Sequence, residues 1–531
     1  MTSRTTRGFA RIAAACVLVA LGAGPAERTA AAAPPRAIAK KKTDKKSTKK
    51  KPAAHVTAAP KRAPAAPPKP AEIHLDVRRA TLDNGLRVVL NPSHASPTVA
   101  LAVTYDVGSR DDEPGRTGFA HLFEHMMFEG SKNVEKGEHM KLVSAHGGTL
   151  NATTDVDRTN YYEVLPANEL ALALWLEADR MKGLDVTEAN FENQRKVVEE
   201  EYRMRYSNVP YRLSTLKLDE LVYEGYWPYS HSTIGLMRDL DDAKIDAVAA
   251  FHAHHYGPNT AVVSLSGDFD PDEALALVKK YFGGVPKIEA APFVDAKLPE
   301  QTSQRVLVVR DEHARSPMVQ YGWAVPPNRT PDHYALEIAA LVLADGESSR
   351  LHQILVRDKA VAQGVWAGTR DRRGPDLFSI GVKLSDGATT ADVEKLVEAE
   401  VKALGTTKPP TDAELAKARR QVESSFVFGL QSNFSRATDL GEMELFYGDA
   451  TLLNGELPRY FAVSKDDVKR VVAQYLAPTR RTIVETAPPA RPDAAPPPKK
   501  KKTPSAPAAT KKAADKKAAD KKAPKKKGKS C

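Results

Sequence analysis

Residues 118–130, GFAHLFEHMMFEG, constrain the fold of this chain more than any other segment. Apolar side chains surround nearly the whole circumference of the helix that these residues would form, which predicts a helix buried in a core. On a helix, residues four apart share one face, and a residue three apart lies close by. His121, Glu124 and His125 therefore point into one space. Since buried polar groups need partners, the pattern predicts either hydrogen-bonded core histidines or a metal site.

The chemistry of these side chains favours the metal site. Two imidazoles and one further anionic ligand hold zinc in catalytic sites and leave one position to a water, whose pKa the metal lowers. Glu124 is placed to take the proton of that water as a general base. With 14 histidines and 67 acidic residues in 531 positions, the pattern H-x-x-[DE]-H is expected by chance only about 0.05 times. We therefore predict that His121 and His125 are zinc ligands and that Glu124 is catalytic.

The order of the motif also carries a resemblance to a known family. The order H-x-x-E-H is the signature of the inverzincins. The segment TGFAHLFEHMMFEGS resembles the metal-binding helix of the pitrilysin family (M16) of zinc peptidases, which includes bacterial members similar to processing peptidases. The resemblance extends from about residue 76 to about residue 484. Four further stretches match in order: GGTLNATTDVDRTNYYEVLP (147–166), FENQRKVVEEEYRMR (191–205), HSTIG (231–235) and DGESSRL (345–351).

The resemblance implies an activity and an architecture. Members of the family are zinc-dependent endopeptidases that hydrolyse extended or unfolded peptides. Their fold is α/β (α+β), with two similar subdomains of mixed sheet flanked by helices in each half. Two such halves close like a clamshell around the substrate. We therefore expect this chain to form one clamshell half and to bind one Zn²⁺ ion.

The resemblance also implies a third zinc ligand, which is a glutamate on a later helix. Aligning the family pattern on Arg195 puts this ligand at Glu201. Helical periodicity agrees, because Glu201 lies on the face that begins at Phe191. Glu200 remains the alternative. Some family members carry another glutamate seven residues before the ligand. Gln194 stands there in this chain, and its amide can orient a ligand but adds no charge.

The stretch TLNATTDVDRTNYYEVL predicts two strands around a polar turn, because β-branched and aromatic residues flank the sequence DVDR. By the resemblance, Asn151 and Ala152 lie on the strand that pairs with the substrate backbone. Strand addition provides affinity through main-chain hydrogen bonds with little dependence on sequence. The alternative interpretation is an ordinary hairpin without a binding role.

Residues 1–35 have the features of an export signal. Basic residues precede the apolar run IAAACVLVALG, which is too short for a permanent membrane anchor. We expect an exported protein in the periplasm, in the cell envelope or outside the cell. The cysteines, Cys16 and Cys531, offer no disulfide within a mature chain, so stability has to come from the core.

Two Lys-, Pro- and Ala-rich segments, residues 36–72 and 487–531, have too little apolar content to fold, and we expect both to be disordered. Their net charges are +10 and +12, and residues 1–35 add +3. Since the whole chain carries +11, residues 73–486 carry −14. The basic character thus belongs to the tails, which either contact anionic envelope surfaces or act as solvated spacers. No nucleic acid is expected as a partner.

Residues 73–486 are too long for one ordinary domain. A linker-like stretch at 286–301 predicts an N-terminal peptidase subdomain with the zinc site, residues 73–290, and a C-terminal peptidase-like subdomain, residues 291–486. The Asn84-Gly85 pair predicts an early hairpin. Predicted helices cover residues 117–129, 167–182, 187–206, 243–255, 271–283 and 331–345, and predicted strands cover residues 260–268, 305–309 and 319–325. The helix at 331–345 repeats the place of the histidine helix, and its His333 is expected to be an ordinary residue.

One departure from the family concerns the second half. Members that work alone or as homodimers carry an arginine followed seven residues later by a tyrosine, which together reach the substrate. Here Arg357 is the candidate arginine, but Gly364 stands at the tyrosine position and Trp366 is the nearest aromatic residue. Because a phenol that donates to an oxyanion contributes substantially to catalysis, we expect a homologous partner subunit without H-x-x-E-H to supply this pair. A homodimer is the alternative.

Three classes of function follow from these patterns. The first is a zinc endopeptidase, in which His121, His125 and Glu201 hold the metal and Glu124 moves protons. The second is a non-catalytic scaffold subunit of the same fold, from which ligand residues would be missing. The third is a polycationic envelope-binding or nucleic-acid-binding protein, whose function would depend on the tails. The presence of all four site residues favours the first class.

Overall fold

The computed structural model describes residues 69–293 and 296–489. The predicted export signal (1–35), most of the predicted basic linker (36–72) and nearly all of the predicted tail (487–531) lie outside the described residues. Within the described part of the chain, no helix is long and apolar enough to cross a membrane.

A six-stranded sheet organises the first half of the chain. Its strands are β1 (Arg78–Thr81), β2 (Arg87–Pro92), β3 (Thr98–Tyr105), β4 (Thr149–Thr154), β5 (Thr159–Pro166) and β6 (Ala261–Gly267). They lie in the order β1-β2-β6-β3-β5-β4. The sheet is mixed, because β2 and β6 are parallel and the other neighbours are antiparallel. The predicted hairpins are present, and Gly85 has the positive φ of 85° that its turn requires.

A five-stranded sheet organises the second half. Its strands are β7 (Arg305–Arg310), β8 (Met318–Val325), β9 (Ala362–Gly368), β10 (Asp376–Leu384) and β11 (Thr482–Ala487), in the order β7-β11-β8-β10-β9. Strands β7 and β11 are parallel, and the remaining pairs are antiparallel. The two mixed sheets flanked by helices confirm the predicted α/β fold.

Among the described residues, eight α-helices belong to the first half: α1 (Phe119–Met126), α2 (Glu138–Ala145), α3 (Leu170–Gly183), α4 (Glu188–Tyr202), α5 (Arg212–Val222), α6 (Met237–Asp241), α7 (Ile245–His255) and α8 (Pro271–Phe282). Six belong to the second: α9 (Pro331–Ala344), α10 (Thr390–Gly405), α11 (Asp412–Gly429), α12 (Asn433–Tyr447), α13 (Glu456–Ala462) and α14 (Lys465–Tyr475). A π-helical turn, Arg203–Ser207, extends α4. The helix predicted at 187–206 is therefore α-helical up to Tyr202 and π-helical after it.

Each half contributes one helix that packs on the sheet of the other half. Helix α12 of the second half packs on β3 and β6 of the first sheet, and α5 of the first half packs on β8 and β11 of the second sheet. Gly441 permits the approach of α12, because a Cβ atom there would lie 2.7 Å from the Ser264 hydroxyl of β6. The described residues up to Pro489 consequently form one compact unit. The subdomain boundary near residue 290 stays a prediction.

Helix α1 lies against β4 and β5 on one side and against α4 on another. All eight of its residues are buried, as its apolar circumference predicts. Strand β6 is also buried along its whole length, because helices cover both faces of the sheet at its centre. The polar side chains of α1 are therefore held in a rigid, water-poor environment between sheet and helix.

Candidate metal centre

The three polar residues of α1 project from its buried length. His121, Glu124 and His125 are each less than 9% exposed. The rings of the two histidines lie with their centroids 5.0 Å apart and their planes at 70°. The i, i+4 spacing thus brings both imidazoles to one side of the helix, as the sequence predicts.

A carboxylate that the sequence analysis missed holds the start of α1. The buried Asp112 accepts hydrogen bonds from the backbone N–H groups of Gly118, at 2.7 Å, and Ala120, at 3.1 Å. Gly118 has a φ of 90°, which favours glycine, and a Cβ atom there would lie 2.6 Å from the Ile234 carbonyl oxygen. An acidic residue shortly before a buried helix is the signal that would have pointed to this capping role.

Helix α4 brings a third ligand candidate to the histidines. Glu201 is buried near the end of the helix, on the same face as the buried Phe191 and Val198. Its Oε2 lies 3.2 Å from Nε2 of His125, and its Oε1 lies 3.8 Å from Nε2 of His121. The possible ligand atoms of all three residues lie within 4.8 Å of one another. This separation suits a single ion between them.

The rival carboxylates point elsewhere. The Glu200 side chain is 55% exposed and forms an ion pair with Arg203 at 2.9 Å. The Glu199 side chain is 24% exposed and lies 3.8 Å from the same arginine. Of the three consecutive glutamates, only Glu201 faces the histidines.

The charges in the site are coupled. Burial opposes ionisation of Glu201, but contact with His125 and the charges of His121 and Arg205 outweigh burial and lower its pKa to about 2. Burial lowers the pKa of His121, and the neighbouring His125 reinforces that shift. For His125, burial is outweighed by the Glu201 carboxylate and by Glu124, so that its pKa is raised. The site therefore holds an ionised carboxylate against two imidazoles.

A second contact missed by the sequence analysis lies beside His125. Nε2 of Gln194, on α4, donates to Oε1 of Glu129 at 2.6 Å, and both side chains are buried. Glu129 follows α1 directly, and its other carboxylate oxygen forms an ion pair with Lys136. Gln194 is also one of the smaller causes that raise the pKa of His125. The side-chain amide of Gln194 is thus hydrogen-bonded to a buried carboxylate.

Strand β4, which carries Asn151 and Ala152, is one of the two edge strands of the first sheet. It pairs with β5 on one side and contacts α1. The backbone N–H of Ala152 donates to the side-chain Oδ1 of Asn151 at 2.8 Å. The edge of β4 therefore offers main-chain groups close to the helix of the histidines.

The segment around Gly364 lies in the second sheet. Gly364 is on β9, an edge strand, and a Cβ atom there meets no atom of the described residues within 4 Å. The side chain of Arg357 is 69% exposed. Trp366 packs across Gly381 of β10, where its ring fills the space of a missing side chain. The Trp366 side chain thus packs against the neighbouring strand of its own sheet.

Among the described residues, two other groups of acidic residues and histidines could hold an ion by distance alone. In the first, His139 and Glu163 are buried with Glu177, which already forms an ion pair with the buried Arg180. That cation disfavours a metal. The second group is His333 with Asp371 and Asp376.

In this second group, Asp376 accepts the backbone N–H groups of Arg370, Asp371 and Leu377, and it also binds His333 at 2.8 Å. Its oxygens are therefore occupied by protein donors. In the site on α1 and α4, Nε2 of the buried His125 has no hydrogen-bond partner among the described residues, and Oε1 of Glu201 lies 3.0 Å from Nη1 of Arg205.

Comparison with known proteins agrees with this geometry. A family model described as Insulinase (Peptidase family M16) matches residues 87–223, and one described as Peptidase M16 inactive domain matches residues 242–422. The zinc protease PqqE of Helicobacter pylori is 30% identical over 419 residues, which cover 77% of this chain and 92% of the relative. The chain belongs to peptidase family M16.

Solved structures extend the comparison. A protease from Helicobacter pylori has a TM-score of 0.74 at 28% identity, over 78% of this chain and 100% of that one. The periplasmic protease PqqL from Escherichia coli has a TM-score of 0.64 at 18% identity, over 78% of this chain and 48% of that one. The second likeness shows the fold alone. This M16 chain corresponds to about half of PqqL, and the resemblance stated from the sequence is confirmed.

Proposed function

We propose that this M16 protein is a zinc-dependent endopeptidase that hydrolyses extended or unfolded peptides. The observation that carries the proposal is the meeting of three buried ligand candidates, His121, His125 and Glu201, beside the buried carboxylate of Glu124. The relatives that are named zinc proteases support it.

The donor set fits zinc. Nε2 of the buried His125 makes no well-aligned hydrogen bond among the described residues, so it has a lone pair available for a metal. Two imidazoles and one carboxylate are the ligands of catalytic zinc sites that keep an open position. One Zn²⁺ ion per chain, held by His121, His125 and Glu201, would acidify a bound water and polarise the peptide carbonyl.

The remaining chemistry belongs to the protein. Glu124 is the general base: it takes a proton from the attacking water and delivers it to the leaving amine. Asp112 fixes the start of α1 and hence the direction of all three polar side chains on that helix. The buried surroundings exclude bulk water and strengthen each electrostatic contact.

The substrate is held by strand addition. The open edge of β4, at Asn151 and Ala152, offers main-chain groups to an extended peptide. The Asn151 side chain, which now accepts the Ala152 N–H, would yield this N–H to a substrate carbonyl. Because main-chain contacts carry the binding, we expect broad sequence tolerance and a requirement for unfolded segments.

The test is hydrolysis of an unstructured peptide mixture by the purified chain with zinc, compared with Glu124→Gln. The amide keeps the size of the side chain and the metal ligands but cannot accept the proton. We expect both proteins to bind one zinc and the variant to lose at least about 10²-fold in rate. Equal cleavage by the two proteins would remove Glu124 from the mechanism.

A second candidate function is a non-catalytic scaffold subunit of the same fold. The glycine at position 364 and the match to a domain described as inactive favour it. A chain that binds zinc but cleaves no peptide, either alone or with its native partners, would identify this function.

We also propose a partner subunit. A homologous chain that lacks H-x-x-E-H would close over the site as the second clamshell half and supply the arginine–tyrosine pair that Gly364 interrupts. A homodimer is the alternative. Purification of the native complex distinguishes them, since a fully active homodimer contradicts the heterodimer.

Export to the periplasm or cell envelope completes the proposal. It is supported by the charged and apolar pattern of residues 1–35. The basic tail beyond residue 489 would contact anionic envelope surfaces. Fractionation of cells that express the full chain, with and without this tail, tests both statements.

A further inference from the structure

Arg205 lies beside the third ligand candidate of the metal centre. Its Nη1 lies 3.0 Å from Oε1 of Glu201, which is four residues earlier in the chain. The Glu201 side chain is 10% exposed and the Arg205 side chain is 32% exposed, so this ion pair lies between the buried site and solvent. Salt screens a partly buried pair much less than a pair on the open surface. The pair therefore constrains a carboxylate on which the metal site depends.

The two oxygens of the Glu201 carboxylate face different partners. Oε2 lies 3.2 Å from Nε2 of His125, whereas Oε1 lies 3.8 Å from Nε2 of His121 and 3.0 Å from Arg205. Arg205 thus holds the carboxylate by one oxygen while the other faces the nearer histidine. A carboxylate held by one oxygen offers the second oxygen to a metal ion in a fixed direction.

The π-helical turn that follows α4 sets the position of Arg205. The backbone N–H of Asn208 donates to the Arg203 carbonyl at 3.0 Å, which is the five-residue spacing of a π-helix. The rings of Tyr202 and Tyr206 stack with their centroids 5.6 Å apart, and both pack against the hydrophobic core of the first half. Since Tyr206 follows Arg205 directly, this packing restricts the backbone that carries the guanidinium.

The neighbouring Arg203 offers a contrast on the same turn. Its side chain is 60% exposed and lies 2.9 Å from the Glu200 carboxylate and 3.8 Å from the Glu199 carboxylate. Ion pairs between such exposed side chains contribute little to stability. Of these two arginines, Arg203 thus pairs with carboxylates that point away from the histidines, and Arg205 pairs with the one that faces them.

We propose that Arg205 is a positioning residue of the metal centre, which holds Oε1 of Glu201 so that Oε2 reaches an ion shared with the two histidines. This inference rests on the metal site proposed above. Two effects oppose each other at this position. The ion pair orients the ligand, which strengthens metal binding, whereas the positive charge of the guanidinium repels a cation, which weakens metal binding. The proposal requires orientation to be the larger effect.

The test is the dissociation constant of Zn²⁺, measured on the full chain by competition with a chelator. Arg205→Met keeps an unbranched side chain but removes the charge and the donors, and we expect zinc binding to weaken about 10-fold or more. Arg203→Met is the matched control and should stay within about threefold of the wild type. The double variant Glu201→Gln/Arg205→Met should bind zinc within about threefold of Glu201→Gln, because an effect that acts through Glu201 disappears with its carboxylate.

Thermal unfolding of the zinc-free proteins separates positioning from simple packing. A lower melting temperature of Arg205→Met with unchanged zinc affinity would assign a packing role and overturn the proposal. Tighter zinc binding by this variant would also overturn it, because charge repulsion would then be the larger effect. Losses that multiply in the double variant would show that Arg205 acts without Glu201, which contradicts the proposal as well.

Two further outcomes are separated by the same measurements. If Arg205→Met does not fold, Arg205→Gln, which keeps a polar group at the edge of the site, takes its place in every comparison. A wild type that binds no zinc would refute the metal site itself. A wild type that binds zinc, together with an Arg205 variant that binds it equally well, would refute only the role of Arg205.

Discussion

Replacing Glu201 by glutamine tests the identity of the third ligand most directly. A ligand that binds only the folded state stabilises it by RT ln(1 + [L]/Kd), which is about 2.7 kcal/mol when free zinc is at 100 times Kd. Loss of a charged ligand 3.2 Å from Nε2 of His125 should raise Kd at least about 100-fold. At the same zinc concentration the stabilisation then falls to about 0.4 kcal/mol.

The assay is thermal unfolding with zinc and with a chelator, for Glu201→Gln and for the matched variant Glu200→Gln. The second side chain is 55% exposed and paired only at the surface, so its replacement should change stability by less than about 0.5 kcal/mol. We expect the zinc-dependent rise in Tm to fall to about one-sixth in Glu201→Gln and to persist in Glu200→Gln. The opposite result would refute the ligand assignment and the geometric reasoning behind it.

Two further predictions concern the second half of the chain. A tyrosine at Gly364 meets no atom of the described residues within 4 Å of its Cβ, so Gly364→Tyr should fold normally. In a homodimer, where a second copy of the chain forms the other clamshell half, it should raise the peptidase rate by up to about 10²-fold, whereas Gly364→Phe, which lacks the hydroxyl, should not. Burial lowers the pKa of His333, but the hydrogen bond to Asp376 and the nearby carboxylates outweigh burial and raise it to about 9. The protonated ring therefore contributes stability that is fully present below about pH 6.5 and is lost as the pH rises through about 9. Melting temperatures should accordingly differ more between wild type and His333→Gln at pH 6.5 than at pH 10, and a constant difference would contradict the ion pair.

Local patterns were sufficient for the histidine helix. The i, i+4 spacing of His121 and His125 is a consequence of 3.6 residues per turn, so any helix there brings the two rings together. The same periodicity separates Glu201 from Glu200 on α4, because a shift of one residue turns a side chain by about 100°. The strands around the DVDR turn were predictable from their β-branched and aromatic residues on either side of a polar break.

The long-range contacts had no such signal. The packing of α12 on the first sheet joins residues more than 170 positions apart, as in the hydrogen bond from the Ser264 hydroxyl to the Ala437 carbonyl. Closing loops of this length costs entropy that only a complete core repays. Sequence spacing alone therefore does not identify the partners.

Position 194 illustrates both contributions. The sequence by itself determined that an amide, and no charge, lies on the same face of α4 as Glu201, since that follows from the identity of one residue and the period of one helix. Only the tertiary structure decided that this amide donates a hydrogen bond to a buried carboxylate. The acceptor, Glu129, is 65 residues away in sequence and is brought close by the packing of α1 against α4. Helical geometry is a local property of the backbone, whereas the electrostatic environment of a buried ligand is the sum over every element that the fold packs around it.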